Sequence, residues 1–201
     1  MAVVISYENE SEKSITSTQV SFLKKHIKVF SVDGLVKKKE EFKNGVIENL
    51  IYYKDSNESI TTILSENQTI SSIEIRERKF IGDFILIDHS DYYNGVLEFK
   101  DISVIDHNGN EIYSSPINIV SNLHDYEETN KYFYDDTGKK LYTFWYGTNG
   151  QFGHMQSHNP LHKDYINEFK HSFYLDELDT LEDFDWANMA YYHNAEPIIP
   201  N

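Results

Sequence analysis

Residues 26–54 read HIKVFSVDGLVKKKEEFKNGVIENLIYYK. The stretch breaks at Asp33-Gly34 and again at Asn44-Gly45, with Gly34 and Gly45 eleven residues apart. Asp-Gly and Asn-Gly suit tight hairpin turns because both central positions need positive φ. Between the breaks lie runs of Val, Ile, Phe and Tyr mixed with charged residues, and Val46, Glu48, Leu50 and Tyr52 share one parity of a strand. This is the pattern of an antiparallel meander. The same punctuation recurs at Tyr93-Asn94-Gly95, Asn108-Gly109, Thr137-Gly138 and Asn149-Gly150. Asp106-His107-Asn108-Gly109 and Asp135-Asp136-Thr137-Gly138 fit the longer turn that ends on a left-handed Gly.

Working outward, strands are expected near 26–32, 35–43, 46–54, 59–65, 69–78, 80–88, 95–105, 111–120, 131–135 and 140–147. The run from Phe80 to Ile87 is apolar on both parities and reads as a central strand buried on two faces. Val20, Leu23, Ile27 and Phe30 have helical spacing, so 18–30 admits a short helix. Near residue 158 the composition shifts. Asn159-Pro160 suits a helix start, and Leu161, Tyr165, Ile166, Phe169 and Phe173 recur at steps of three and four. A second helical stripe follows through Leu175, Leu178 and Leu181. The expected class is α+β, mainly β: an antiparallel meander sheet, barrel or sandwich, with about two C-terminal helices. Residues 1–158 form the β-rich meander, and 159–201 a helical C-terminal segment packed on the same domain.

The chain has 201 residues, 18 Lys+Arg against 33 Asp+Glu, a net charge of -15 and no Cys. Disulfides, Cys-ligated zinc, iron–sulfur clusters and thiol nucleophiles are thereby excluded. Residues 101–201 hold five Lys and no Arg against 17 Asp+Glu, whereas residues 1–100 hold 13 Lys+Arg against 16. The only arginines are Arg76 and Arg78. A chain so charged is repelled by polyanions and anionic lipid, so neither direct nucleic-acid binding nor membrane binding is expected. The N-terminal residues MAVVISYENE lack the basic flank and long apolar stretch of a secretory leader, and the expected location is the bacterial cytoplasm.

Three groups of residues could carry function. His154, His158 and His162 recur at steps of four, a spacing that gathers imidazoles on a helix and could serve a metal-dependent hydrolase. Gly150, Gly153 and Pro160 bracket the run and instead argue for a loop, so His154, His158 and His162 are weak metal candidates and no cofactor is assigned. No G-x-S-x-G, Walker-type or dinucleotide glycine motif occurs, and no catalytic residue is assigned. Adjacent aromatic pairs such as Tyr52-Tyr53 and Phe144-Trp145 send one ring to each face of a strand; exposed rings could bind carbohydrate. Six of the ten residues 176–185 are acidic, followed by Trp186. Asp176, Glu177, Asp179, Glu182, Asp183, Asp185 and Trp186 form the expected binding surface for a basic protein partner, since dense carboxylate speeds capture of a cation-rich surface.

The stretch 26–54, with its glycine turns, aromatics and Asn-Gly, resembles the MORN-like aromatic-glycine hairpin repeats of bacterial antitoxin and immunity-type proteins. Residues 132–150, YFYDDTGKKLYTFWYGTNG, resemble the same repeats. The charge balance of the second half, the two arginines, the missing cofactor motifs and Cys and the many aromatics lead to the expectation of an acidic, non-enzymatic protein-binding module, an immunity or antitoxin protein that neutralises a basic toxin, the class that the resemblance also names. The resemblance transfers no individual site residue.

Overall fold

The computed structural model describes residues 2–159, 172–178, 180, 181 and 183–200. Its strands are β1 (Val3–Glu8), β2 (Ser14–Ile15), β3 (Lys25–Val32), β4 (Leu35–Lys43), β5 (Val46–Lys54), β6 (Ser72–Ile81), β7 (Phe84–Tyr93), β8 (Val96–Ile105), β9 (Glu111–Pro116), β10 (Asn130–Tyr134), β11 (Lys140–Tyr146), β12 (Phe152–Ser157) and β13 (Ser172–Phe173). Helices are α1 (Ser17–Val20), α2 (Ile60–Glu66) and α3 (Leu175–Leu178). The sheet order runs β13-β12-β11-β10-β9-β8-β7-β6-β5-β4-β3-β1-β2. The described residues are therefore mainly β, a largely antiparallel meander of 13 strands. It is one sheet with two ends, neither the barrel nor the sandwich anticipated.

Three expectations are corrected. Residues 59–65 are not a strand: Ile60, Ile63 and Leu64 turn as α2 toward Ile70, Ile73 and Leu50. This helix is a crossover, and it makes β5 and β6 parallel, with Leu50 opposite Ile73 and Tyr52 opposite Ile75. The apolar run Phe80–Ile87 is not one central strand. It folds at Gly82, whose φ is +58, and leaves Phe80 and Ile81 exposed at the hairpin end. In the C-terminal segment, α3 is one turn long, and two 3₁₀ turns follow it, Trp186–Asn188 and Ala190–Tyr192. Of the helix expected from Asn159 through Phe173, residues 160–171 lie outside the described ones, and Phe173 belongs to β13.

The chain divides into two compact units. Unit 1 comprises residues 1–78 and 88–100, and unit 2 residues 79–87 and 101–201. In unit 1, α2 covers Leu50, Ile73 and Ile75 on one sheet face. The opposite face buries Ile51 and Val29 beneath charged side chains rather than a second layer. Lys39 lies in register between Val29 and Ile51, and its Nζ donates to Glu8 at 3.0 Å. Its aliphatic stem covers these apolar neighbours, and the side chain is mostly buried with its ammonium paired to Glu8.

In unit 2 the core is aromatic. Tyr142, Phe144 and Tyr146 of β11 pack with Met155, Phe173, Leu178, Leu181 and Ala195. Trp145, of opposite parity to Phe144, stacks on His154 with ring centroids 4.9 Å apart. A second cluster holds Leu86, Val104, Ile112 and Tyr113, against which Ile198 and Ile199 pack.

Candidate functional site in the C-terminal segment

The acidic stretch proposed from sequence lies in unit 2, where the chain returns over β11 and β12. Asp176 and Glu177 open α3, and the Glu177 carboxylate accepts the Tyr174 N–H at 3.0 Å. Asp185 caps the following 3₁₀ turn: its carboxylate accepts the Asn188 backbone N–H at 3.4 Å and side-chain amide at 2.6 Å. Asp183 is exposed in a left-handed conformation, φ +56. Asp179 and Glu182 lie outside the described residues.

Trp186 packs within an aromatic cluster. Its ring is half-buried, 4.3 Å from His193, 4.7 Å from Phe152 and 6.1 Å from Phe144. One edge of this cluster remains open as a shallow cleft of about 290 Å³ bounded by Gln151, Phe152, Leu175, Trp186, His193 and Asn194. Leu175 and Tyr174 are exposed beside it. Asp176 and Asp185 are the chain neighbours of Leu175 and Trp186, so exposed carboxylates adjoin a depression of mixed polar and apolar lining.

Sequence reasoning missed the group that pins this segment. Lys131 of β10 is completely buried, and its Nζ donates to the carbonyls of Tyr191 (2.7 Å), Pro197 (2.8 Å) and Asn194 (2.9 Å). Three acceptors match the three protons of an ammonium. The Tyr191 ring face lies 3.7 Å from Nζ, a cation–π contact. Burial pulls the Lys131 pKa down to about 7, with Glu196 drawing it back up. A lone Lys in β10, in a half of the chain with so few cations, was the available signal. It did not say what the ammonium met.

The histidines do not converge among the described residues. Residues 154–157 belong to β12 rather than to the expected loop. His154 and His158 lie four positions apart on extended chain, which separates their backbones by about 13 Å. His154 stacks on Trp145, and His158 Nε2 is 3.3 Å from Thr143 Oγ1. Burial lowers both pKa values, Lys140 adding to the shift at His158. His162 is outside the described residues, among which no three His, Asp or Glu side chains gather as metal ligands. Nor does any helix among them have the length and apolarity to cross a membrane.

A second groove lies in unit 1, about 320 Å³ in volume, lined by Asn49, Ser72, Glu74, Asp91, Tyr92, Tyr93, Glu98 and Phe99. Glu74 is hydrogen-bonded to His89 Nδ1 at 3.0 Å and to Arg76 Nε. Burial works against its charged form, but these two partners outweigh burial and hold its pKa at about 2. Arg76 and Arg78 both engage Tyr53: Arg76 donates to its hydroxyl at 3.2 Å and the Arg78 guanidinium lies 3.6 Å from the ring centre.

The chain matches no protein-family model, no curated protein and no solved structure.

Proposed function

We propose that this protein is a non-enzymatic acidic module that binds a basic protein, of the kind by which an immunity or antitoxin protein neutralises a cationic toxin. The supporting observation is the unequal charge of the two units. Unit 2 holds 18 Asp+Glu against six Lys, a net charge of -12, and one of those six, Lys131, is buried. Unit 1 holds 15 against 12, a net charge of -3, and much of its charge is internally paired: Lys37 with Asp55 and Glu58, Lys39 with Glu8, Lys43 with Glu48, Lys54 with Glu77. Paired charge leaves little unbalanced field. An excess of one sign over exposed Asp176, Asp183 and Asp185 creates a field that steers a cation-rich partner and repels nucleic acid.

The test is kinetic. A basic protein retained by the full-length chain is purified, and its association with the wild type and with the triple variant Asp176→Asn, Asp183→Asn, Asp185→Asn is followed at rising salt. Association of the variant should slow by about tenfold and lose most of its salt dependence. Equal association rates for the two proteins would remove this reading of the surface.

A further inference from the structure

The loop joining β9 to β10 exposes three large apolar side chains at one tip: Ile119, Val120 and Leu123 are 48%, 92% and 67% exposed. Isolated surface aliphatics are ordinary, but three within five residues form a patch. The loop is also shaped from within. The Asn118 side chain accepts the N–H groups of Val120 and Ser121, each at 3.0 Å. The Asn118 N–H reaches the Leu123 carbonyl at 2.9 Å, and the Asn122 N–H reaches the Asn118 carbonyl at 2.7 Å. Below the tip, Ile117 and His124 form a bridge; Ile117 is buried and His124 Nδ1 lies 3.1 Å from Ser115 Oγ. The His124 ring is parallel to that of Tyr126. The apolar groups are thus presented on a closed, internally bonded turn. Little conformational freedom remains to be lost when another surface covers them.

The charge around the tip identifies what that surface must be. Residues 117–130, the loop and the turn after it, contain three Asp+Glu and no Lys or Arg. Asp125, Glu127 and Glu128, which follow the loop directly, are exposed. The first cation afterwards, Lys131, is buried. An apolar tip backed by carboxylates is poorly suited to an anionic lipid surface, which repels its base. It is also poorly suited to a second copy of itself, where like charges would meet.

We propose that the 117–124 turn is an apolar prong that seats in a cleft of a basic protein, with Asp125, Glu127 and Glu128 facing Lys or Arg at the cleft rim. This rests on the binding-module reading and assigns it a central anchor, since binding energy concentrates in a few well-covered apolar side chains within a polar rim.

The probe is a phage-displayed library of small folded domains with randomised clefts, selected on the immobilised full-length protein. Selected domains are then measured against wild type, Val120→Asp, and the pair Glu127→Gln/Glu128→Gln. The expected domains are rich in Lys and Arg around an apolar cleft. Val120→Asp should weaken them at least tenfold, mainly through faster dissociation and at every salt concentration; the Gln pair should slow association and flatten its salt dependence. Far-ultraviolet circular dichroism of Val120→Asp should match wild type, because the side chain it replaces is in water. Basic domains that bind Val120→Asp as well as wild type would overturn the prong while leaving the module reading intact. Selected domains without basic character, or no selected domains, would overturn both. Flotation of wild type but not Val120→Asp with phosphatidylcholine vesicles would assign the tip to lipid and overturn the prong.

Discussion

Lys131 and Tyr191 meet twice: the ammonium donates to the Tyr191 carbonyl at 2.7 Å and lies 3.7 Å from the Tyr191 ring centre. One residue of β10 thereby grips both the backbone and the side chain of a residue sixty positions later. The same ammonium bonds Asn194 and Pro197, so it holds the turn that carries Tyr192 and Ala195 into the aromatic core of unit 2.

Replacing Lys131 by Met keeps most of the volume but strands three carbonyls. The expected loss of stability is about 3 kcal/mol, read as a lower denaturation midpoint with an unchanged slope. Residues near 191–197 should also become the first sites of limited proteolysis.

Acid should weaken unit 1 through Glu74. Its pKa, about 2 when folded, lies below the ordinary carboxylate value of 4.5. The unfolded chain therefore binds the extra proton first as pH falls. Stability from this group is fully present above pH 4.5 and is lost as pH drops from there through about 2. The stability difference between wild type and Glu74→Gln should shrink across that window, amounting at most to about 3 kcal/mol. A difference constant from pH 6 to pH 2 would remove Glu74 as the cause.

Two glycines separate backbone strain from crowding. Gly34 has φ +82 with open space around it, and Gly150 has φ +76 with the Tyr126 ring 3.3 Å from where a Cβ would stand. Gly34→Ala should cost about 1 kcal/mol, the left-handed penalty alone. Gly150→Ala should cost more, because the ring must also move; equal melting temperatures for the two variants would contradict the close approach.

The sheet face of unit 1 predicts unequal lysines. Lys39→Ala removes the stem lying between Val29 and Ile51 and should cost about 1 kcal/mol, little changed by salt. Lys43→Ala breaks an exposed pair with Glu48 and should cost close to nothing. Thermal melts at low and high salt decide between stem burial and ion pairing as the source of stability.

The turns of the meander were legible because each carries its own chemistry: Asp33-Gly34, Asn44-Gly45 and Asn94-Gly95 all adopt positive φ at both residues, as their side chains permit. Residues 60–66 were not legible, since Ile60, Ile63 and Leu64 satisfy strand and helix spacing in so short a run, and burial against Leu50 and Ile73 decided for helix. Phe80–Ile87 misled because its apolar content hid the turn at Gly82. The acidic stretch was found by composition alone. Its relation to the cleft at Phe152 and Trp186 was not, because side chains from separate strands and turns bound that cleft.

Local chemistry along the chain was enough to determine a β-rich meander, its turn positions and an excess of negative charge in the second half, because turn conformations and charge belong to neighbouring residues. Tertiary structure alone decided that the sheet stays open, that β5 and β6 run parallel, that Lys131 lies beneath three carbonyls, and that Val120 stands in water. Each of those depends on which distant segment covers a given side chain, and burial is a property of the folded neighbourhood rather than of sequence position.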